Sequence, residues 1–285
     1  MGIYRMTVCK NEVISETTSR AYNSGITEKY LVSTISRGSG DFVIGKRDLK
    51  LFPEKFIVLN EGSAYSNKIE SAEEVNICSI LFDADFVCDY EYSSANENRV
   101  LLDNPQYYKN GKPVFIEAIY ALNEEVRTGI QQLKKATEMG LKDEVLLMEY
   151  FNGCLSAYYD LYHAEVTNRA KSLKSLNLST RSEILRRLSI ARDYMLSNYN
   201  KSICLYDVAL AACLSVNHLL RTFKQAYHQS PHQFLTDVRL QQAKYYLKNT
   251  DYSVSEIVDI VGFECPSSFT RLFRSSFKIT PGKFR

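Results

Sequence analysis

Two arginines and their neighbours carry the clearest chemistry in this chain. Arg221 and Arg271 lie 50 positions apart, and each guanidinium offers a planar fork of donors that can bind two acceptors at once. A second cation follows each of them three residues later, as Lys224 and Arg274. Donors repeated in this way favour contact with an acceptor-rich, anionic partner over bond-making chemistry.

Groups that would support catalysis or metal binding are scarce. Residues 1–162 contain no histidine, and the seven cysteines are scattered singly with no CxxC pair. The chain therefore predicts reduced thiols rather than disulfides or a zinc site. His218, His228 and His232 lack paired spacing and carboxylate partners, so we expect surface or phosphate-facing groups. The GxG at residues 38–40 has no helix after it and predicts a hairpin turn. We expect no catalytic residue, no metal and no cofactor.

The charge is distributed unevenly along the 285 residues. Residues 179–285 hold 15 Lys and Arg against 8 Asp and Glu, whereas residues 1–178 hold 20 against 25, so a net charge of +2 conceals a basic C-terminal third. The length favours two domains. No apolar run approaches the ~18 residues of a membrane span, and no secretory signal opens the chain. We expect a cytoplasmic protein with no membrane partner.

An internal repeat organises the basic third. HLLRTFKQAYHQSPHQF at 218–234 and SFTRLFRSSFKITPGKF at 268–284 align with a fixed offset of 50. Chemically matched residues recur along this alignment: Arg221 with Arg271, Phe223 with Phe273, Lys224 with Arg274, Tyr227 with Phe277, Pro231 with Pro281, and Phe234 with Phe284. Such a repeat indicates two copies of one supersecondary unit.

Each copy predicts a helix, a tight turn and a second helix, the helix-turn-helix pattern, at 205–227 and 255–277. Ser215 can cap the second helix of the first unit. Ser253 and Glu256 form a capping box in the second unit, whose later helix starts at Pro266. A helix at 231–247 connects the units and spans ~25 Å, and a further helix is expected over 180–199.

An α-helix fits the major groove of DNA, where each base pair shows a unique donor and acceptor pattern. A polar helical stripe is often only a solvated face, but its recurrence at one place in two units favours contact. We therefore expect base contacts from residues of the two second helices: Asn217, Leu220, Arg221, Ser267, Ser268, Thr270 and Arg271. Leu220 can alternatively belong to the core. Phosphate contacts are expected from Ser215, Lys224, Arg274 and Lys278.

These residues also carry a family resemblance. The elements LxxxFK, RLxxAxxxL, VGF, SSFxRLFR and TPxxFR stand in order over roughly 182–285, and this segment resembles the DNA-binding domain of AraC/XylS-type transcription regulators. The resemblance implies recognition helices at about 216–227 and 266–277, duplex DNA and RNA polymerase as partners, and transcriptional activation. The chain departs from the family pattern at Cys213 and Cys265, which occupy the turns.

The first 165 residues predict an effector-binding or dimerisation domain. Short β-type runs at 30–36, 42–44, 56–59 and 75–82 are separated by turn residues, which favours a sandwich or barrel. Regulators of the resembled family often carry a cupin-like jelly roll there, and the segment GSGDFVIGKRDLKLFPEKFIVLNEGSAY is similar to one. Because cupin enzymes bind metal through clustered histidines, a metal-dependent enzyme is disfavoured.

Two helices are expected after these strands, at 114–138 and 141–165. The second carries a broad apolar stripe made of Leu146, Leu147, Tyr150, Phe151, Cys154, Leu155, Tyr158 and Tyr162. This stripe either packs onto the β domain or forms the seam of a homodimer. The polar stretch at 166–181 is expected to be an interdomain linker.

The sequence thus predicts an α+β protein of two domains, with a β-rich cupin-like domain at 1–165 and an all-α domain of two helix-turn-helix units at 182–285. The function expected is a sequence-specific DNA-binding transcription regulator, controlled by a small-molecule effector. Two alternatives remain, a ligand-independent dimeric DNA-binding regulator and a cupin-type enzyme with an appended DNA-binding module.

Overall fold

The computed structural model describes residues 2–96, 111–174 and 177–285. The chain divides between Thr167 and Asn168 into two units, called here the N-terminal and the C-terminal unit. The first is built on an antiparallel sheet with three described helices, and the second is helical. This arrangement confirms the predicted fold class of a β-rich part followed by an all-α part.

Among residues 2–96 and 111–167, eight strands form the sheet of the N-terminal unit: β1 (Gly2–Val8), β2 (Asn11–Ile26), β3 (Tyr30–Arg37), β4 (Gly40–Ile44), β5 (Arg47–Leu51), β6 (Lys55–Leu59), β7 (Ala64–Phe82) and β8 (Ile119–Ala121). They follow the order β1-β2-β7-β3-β6-β8, and β4 pairs with β5 and β7. The long strands β2 and β7 pair along most of their length, with a bulge between Thr18 and Arg20.

The four predicted strands are present, as β3, β4, β6 and the second half of β7. Four further elements, β1, β2, β5 and β8, were not predicted. The outer part of β2 is mostly exposed beyond Thr18, so it lacks the apolar alternation that identifies a half-buried strand. Backbone pairing with β7 determines its conformation instead. The cupin-like jelly roll remains a prediction.

The described residues of this part of the chain form three helices: α1 (Ala84–Ala95), α2 (Glu124–Glu138) and α3 (Glu144–Ser172). The predicted helix at 114–138 was wrong in its first ten residues. The Asn123 side chain accepts a hydrogen bond from the Val126 amide and caps α2, and the preceding residues pair as β8 with β6. Helix α3 runs seven residues beyond its predicted end, and α1 was not predicted.

The apolar stripe of α3 packs into the core of its own unit. Five of its eight predicted members are buried, and Phe151 is fully buried. Residues of the sheet, including Phe56 and Phe82, share this core with them. Packing onto the β domain therefore accounts for most of the stripe, and a dimer seam at α3 remains a prediction.

An aromatic cluster lies within this core. Phe115 is surrounded by the rings of Tyr30, Tyr158, Tyr159 and Tyr162, with centroid distances of 5.1–5.7 Å. The hydroxyl of Tyr30 donates to the Pro113 carbonyl at 2.6 Å. The hydroxyls of Tyr158 and Tyr159 are buried and have no hydrogen-bond partner among residues 2–96, 111–174 and 177–285.

Tyr158→Phe is expected to stabilise the protein. A buried hydroxyl left unsatisfied costs about 1–3 kcal/mol, and phenylalanine retains the ring in its aromatic contacts. We expect the free energy of unfolding in urea to rise by about 1 kcal/mol. Tyr30→Phe is the matched control, because it removes a satisfied hydroxyl and should lower stability instead. A loss in both variants would show that Tyr158 is hydrogen-bonded in solution.

Residues 177–285 of the C-terminal unit form seven helices: α4 (Leu178–Ser197), α5 (Leu205–Ala211), α6 (Val216–Tyr227), α7 (Pro231–Asn249), α8 (Val254–Ile260), α9 (Pro266–Phe277) and α10 (Pro281–Phe284). Helix α4 is capped by Asn177, whose side chain accepts from the Thr180 amide at 2.9 Å. It therefore begins two residues before the predicted start at residue 180.

The predicted linker at 166–181 is helical in much of its length, since it contains the end of α3 and the start of α4. Residues 175–176 lie outside the described residues. The domain bounds 1–165, 166–181 and 182–285 remain a prediction, beside the observed division between Thr167 and Asn168.

Candidate nucleic-acid interface

The first helix-turn-helix unit consists of α5, a four-residue turn and α6. Cys213 adopts a left-handed conformation with φ of +52°. The Leu214 amide donates to the Ala209 carbonyl at 2.9 Å, and the Cys213 amide donates to the Leu210 carbonyl at 3.0 Å. These bonds form a Schellman motif, which ends α5 and satisfies its last carbonyls. Ser215 then accepts from the His218 amide at 3.3 Å and caps α6, as predicted.

The second unit repeats this turn with α8 and α9. Gly262 takes the left-handed position with φ of +80°, and the Phe263 amide donates to the Val258 carbonyl at 3.0 Å. Five residues separate α8 from α9, one more than separate α5 from α6. The offset between the units is therefore 49 through the first helix and turn, and becomes 50 after the additional residue, Glu264.

The helices after the turns have the bounds expected from the sequence, 216–227 and 266–277. Phe223 and Phe273 are fully buried on their inner faces. Phe223 stands 4.4 Å from Tyr227 and 5.6 Å from Phe234 between ring centroids. The equivalent distances from Phe273 to Phe277 and Phe284 are 4.6 and 5.7 Å. The repeated sequence therefore produces the same aromatic packing in both helix-turn-helix units.

The outer faces of α6 and α9 present the predicted base-contacting residues to different extents. Four are exposed: Asn217, Arg221, Ser267 and Arg271. Three are half-buried: Leu220, Ser268 and Thr270. The Thr270 hydroxyl donates to the Pro266 carbonyl within α9 at 2.9 Å, so it is the least free of the seven to contact a base.

All four predicted phosphate-contacting side chains are exposed: Ser215, Lys224, Arg274 and Lys278. Lys278 ends α9 in a left-handed conformation with φ of +63°, as His228 ends α6 with φ of +57°. The Lys278 ammonium donates to the Ser275 carbonyl at 2.9 Å. His218 is half-buried and lines a surface cavity of about 470 Å³ between α4 and the first turn.

Sequence reasoning gave no role to two arginines that bind backbone carbonyls of the C-terminal unit, although one of them, Arg239, is the first residue of the RLxxAxxxL element. Arg187 of α4 donates to the Cys213 carbonyl at 2.9 Å and pairs with Glu183 at 2.8 Å. Arg186 also pairs with Glu183, and hydrogen bonds from both guanidinium groups lower the pKa of this carboxyl to about 2. The partner of Arg187 in the turn is a backbone carbonyl, which no side-chain pattern reveals.

Arg239 of α7 is the second of these residues. Its guanidinium donates to the carbonyls of Tyr199 and Lys201, at 2.7 and 2.9 Å, and lies 5.9 Å from the centre of the Phe263 ring. Helix α7 thereby touches the loop before α5 and the turn after α8 through one side chain.

Cys265 precedes α9 and is exposed. Its Sγ lies 3.0 Å from the Ser267 hydroxyl. Hydrogen bonds from that hydroxyl, and then from the Ser268 amide, lower the pKa of the thiol to about 7. A substantial share of the thiol is therefore ionised at neutral pH, and the thiolate is the form that reacts.

Alkylation of Cys265 by iodoacetamide is expected to follow this pKa, with a half-maximal rate near pH 7. In Ser267→Ala the midpoint should move upward, because the main hydrogen bond to the thiolate is lost. Peptide mass mapping after timed quenching gives the rate at this cysteine separately from the others. An unchanged midpoint in Ser267→Ala would show that the hydroxyl does not stabilise the thiolate.

Nothing in the described part of the chain resembles a metal centre or a membrane span. No group of three or more His, Cys, Asp or Glu side chains comes together there. Among the helices of these residues, none is both long enough and apolar enough to cross a bilayer.

Comparison with known proteins agrees with this geometry. The family described as "Helix-turn-helix domain" matches residues 208–285. The lactose operon transcription activator of Staphylococcus xylosus is 28% identical over 156 residues, which cover 55% of this chain and 52% of that protein. The Msm operon regulatory protein of Streptococcus mutans is 32% identical over 89 residues, which cover 31% and 32%. The chain thus spans about half the length, or less, of these curated relatives.

A solved transcriptional regulator from Chromobacterium violaceum, described as having an AraC-type DNA-binding domain, is 28% identical. The alignment covers 38% of this chain and 94% of that one, with a TM-score of 0.35.

Proposed function

The chain carries an AraC-type helix-turn-helix domain at residues 208–285, and on this premise we propose that it is a sequence-specific DNA-binding transcription regulator. The observation that carries the proposal is the pair of equivalent exposed helices, α6 and α9. Each presents an arginine at the same place, Arg221 or Arg271.

The spacing of the two helices suits duplex DNA. Helix α7 has 19 residues and therefore spans about 28 Å. Successive major-groove segments on one face of DNA lie about 34 Å apart. A rod of this length can hold one recognition helix in each of two successive segments.

The side chains on these helices divide into two kinds of contact. The guanidinium groups of Arg221 and Arg271 can each bind guanine through two hydrogen bonds, and the Asn217 amide can bind adenine in the same way. The hydroxyls of Ser267, Ser268 and Thr270 offer single hydrogen bonds, and Leu220 an apolar contact with a thymine methyl. Contacts to phosphates are proposed for Lys224, Arg274, Lys278 and Ser215. Such contacts increase the affinity of the basic C-terminal unit for DNA but carry no direct sequence information.

The N-terminal unit is proposed to act as a cupin-like effector-binding or dimerisation domain, and the protein as a cytoplasmic activator that engages RNA polymerase. The support for activation is the name of one relative, a transcription activator. An effector would act by binding with different affinity to the DNA-competent and DNA-incompetent arrangements.

A ligand-independent dimeric regulator is the main alternative. The melting temperature of the full-length protein, measured with each compound of a broad metabolite panel, distinguishes this alternative from an effector-controlled regulator. Only an effector-controlled protein gains stability from one of the compounds. The cupin-type enzyme is disfavoured, because residues 1–162 contain no histidine to bind a metal.

Selection of bound sites from random duplex DNA, with the full-length protein, tests the proposal. We expect enrichment of one motif whose two segments lie about one helical turn apart. The selection is then repeated in the presence of the metabolite panel. If binding is salt-sensitive but no sequence is enriched in either selection, sequence-specific recognition is contradicted.

A further inference from the structure

Three parts of the C-terminal unit meet at the loop between α4 and α5. This meeting point, called here the 199–201 junction, comprises Tyr199, Asn200 and Lys201 of the loop, Arg239 of α7, and the second turn at Gly262 and Phe263. The loop leads directly into the first helix-turn-helix unit, and the turn belongs to the second. Contacts at this point therefore join the two helix-turn-helix units to each other.

Arg239 provides the directional contacts of the junction. Its Nε and Nη2 donate to two carbonyls of the loop, those of Tyr199 and Lys201. Charged donors make shorter and stronger hydrogen bonds than neutral ones, and two bonds from one planar group fix its orientation. The Phe263 ring, 5.9 Å away on the second unit, faces the same guanidinium.

Close packing reinforces these bonds. A Cβ atom placed on Gly262 would lie 3.0 Å from the backbone carbonyl of Asn200 and from the oxygen of Tyr199. The second turn therefore rests directly against the loop with no side chain between them. Tyr199 is buried, and its hydroxyl is hydrogen-bonded with Tyr246 of α7, which adds a second link between loop and helix.

We propose that Arg239 is a positioning residue that fixes the separation of α6 and α9, and thereby sets the spacing between the two DNA segments that the protein accepts. The inference rests on the proposed function. Each added base pair moves one segment by about 3.4 Å along the duplex and rotates it by about 35° about the axis. A rigid junction cannot follow that displacement with both helices, whereas a loosened junction can follow part of it.

The test compares three full-length variants on duplexes in which the two selected segments stand at the selected spacing or one base pair further apart. Arg239→Gln removes the charge and the planar pair of donor nitrogens, and Arg239→Lys keeps the charge but places its donors on a single nitrogen. Leu235→Ala truncates a buried residue of the same helix that is not part of the junction, and so controls for loss of stability alone.

We expect the wild-type protein to bind the selected spacing about tenfold more tightly or better, a difference of about 1.4 kcal/mol. Arg239→Gln should reduce this preference to less than about threefold while its affinity for a duplex with one segment stays within a factor of two. Arg239→Lys should keep part of the spacing preference that Arg239→Gln loses. Leu235→Ala should keep the full spacing preference but should have a lower melting temperature.

Equal preference for the two spacings in the wild-type protein, or an undiminished preference in Arg239→Gln, overturns the inference. So does an equal loss of preference in Leu235→Ala, which would mean that general destabilisation is responsible. The affinity of the wild-type protein for the selected site is compared with its affinity for random DNA in the same series. This comparison tests the proposed function independently of Arg239. If Arg239→Gln does not fold, Arg239→Lys supplies the comparison.

Discussion

Arg221→Ala and Arg271→Ala are each expected to weaken binding to the selected DNA site by about 1–3 kcal/mol, which is roughly 5- to 150-fold. Both guanidinium groups are exposed on the outer faces of α6 and α9, so neither substitution removes buried packing. An arginine bound to guanine through two hydrogen bonds discriminates against the other bases. The preference at one base pair in the matching segment should therefore relax in each variant, as measured by repeating the site selection.

Lys224→Ala is the matched control, one helical turn beyond Arg221 on the same helix. A phosphate contact carries no direct sequence information, so this variant should weaken specific and random DNA about equally. The slope of log affinity against log salt should fall by about one unit. If the arginine variants instead lose affinity equally on specific and random DNA, Arg221 and Arg271 contact phosphates rather than bases.

Gly262→Ala is expected to destabilise the protein by about 2–5 kcal/mol, from two costs that add. A left-handed conformation costs a non-glycine residue about 1–2 kcal/mol, and Gly262 has φ of +80°. Overpacking adds about 1–3 kcal/mol, because the new Cβ would lie 3.0 Å from the Asn200 backbone, which has no flexible end to move aside. Urea unfolding of the full-length protein measures the loss.

Cys213→Gly is the companion substitution at the equivalent place in the first turn. Cys213 is exposed and has φ of +52°, so glycine relieves the backbone without removing buried contacts. We expect a gain of up to about 1 kcal/mol. Opposite signs at the two positions would confirm that the turns share one backbone geometry, and a loss at both would contradict it.

Helix ends in the C-terminal unit could be predicted because local side chains determine them. Ser215, Ser230 and Ser253 cap helices by bonds within a few residues, and such bonds leave a pattern in the sequence. The outer part of β2 shows no such pattern in the sequence. The strand that pairs with it, β7, begins about 40 residues later in the chain, and the side chains of this part of β2 are largely exposed.

The residues of the candidate site also divide into those that the sequence predicted and those that it did not. The exposed arginines were found because they recur in the repeat, whereas Arg239 binds backbone carbonyls about 40 positions away. A carbonyl is present at every residue, so no residue type identifies it as a partner. For the same reason, the predicted helix at 114–138 included residues that in fact pair as β8.

The two helix-turn-helix units have turns of unequal length, and in the proposed function this difference would orient the protein on DNA. One unit has a four-residue turn and presents Asn217 with Arg221, and the other has a five-residue turn and presents Ser267 with Arg271. A symmetric dimer reads a palindrome because its two halves are identical. These two units are not interchangeable, so one copy of the chain would read a non-palindromic site and would lie on it in one orientation only. The polarity of the site would then decide which end of the protein faces a neighbouring promoter.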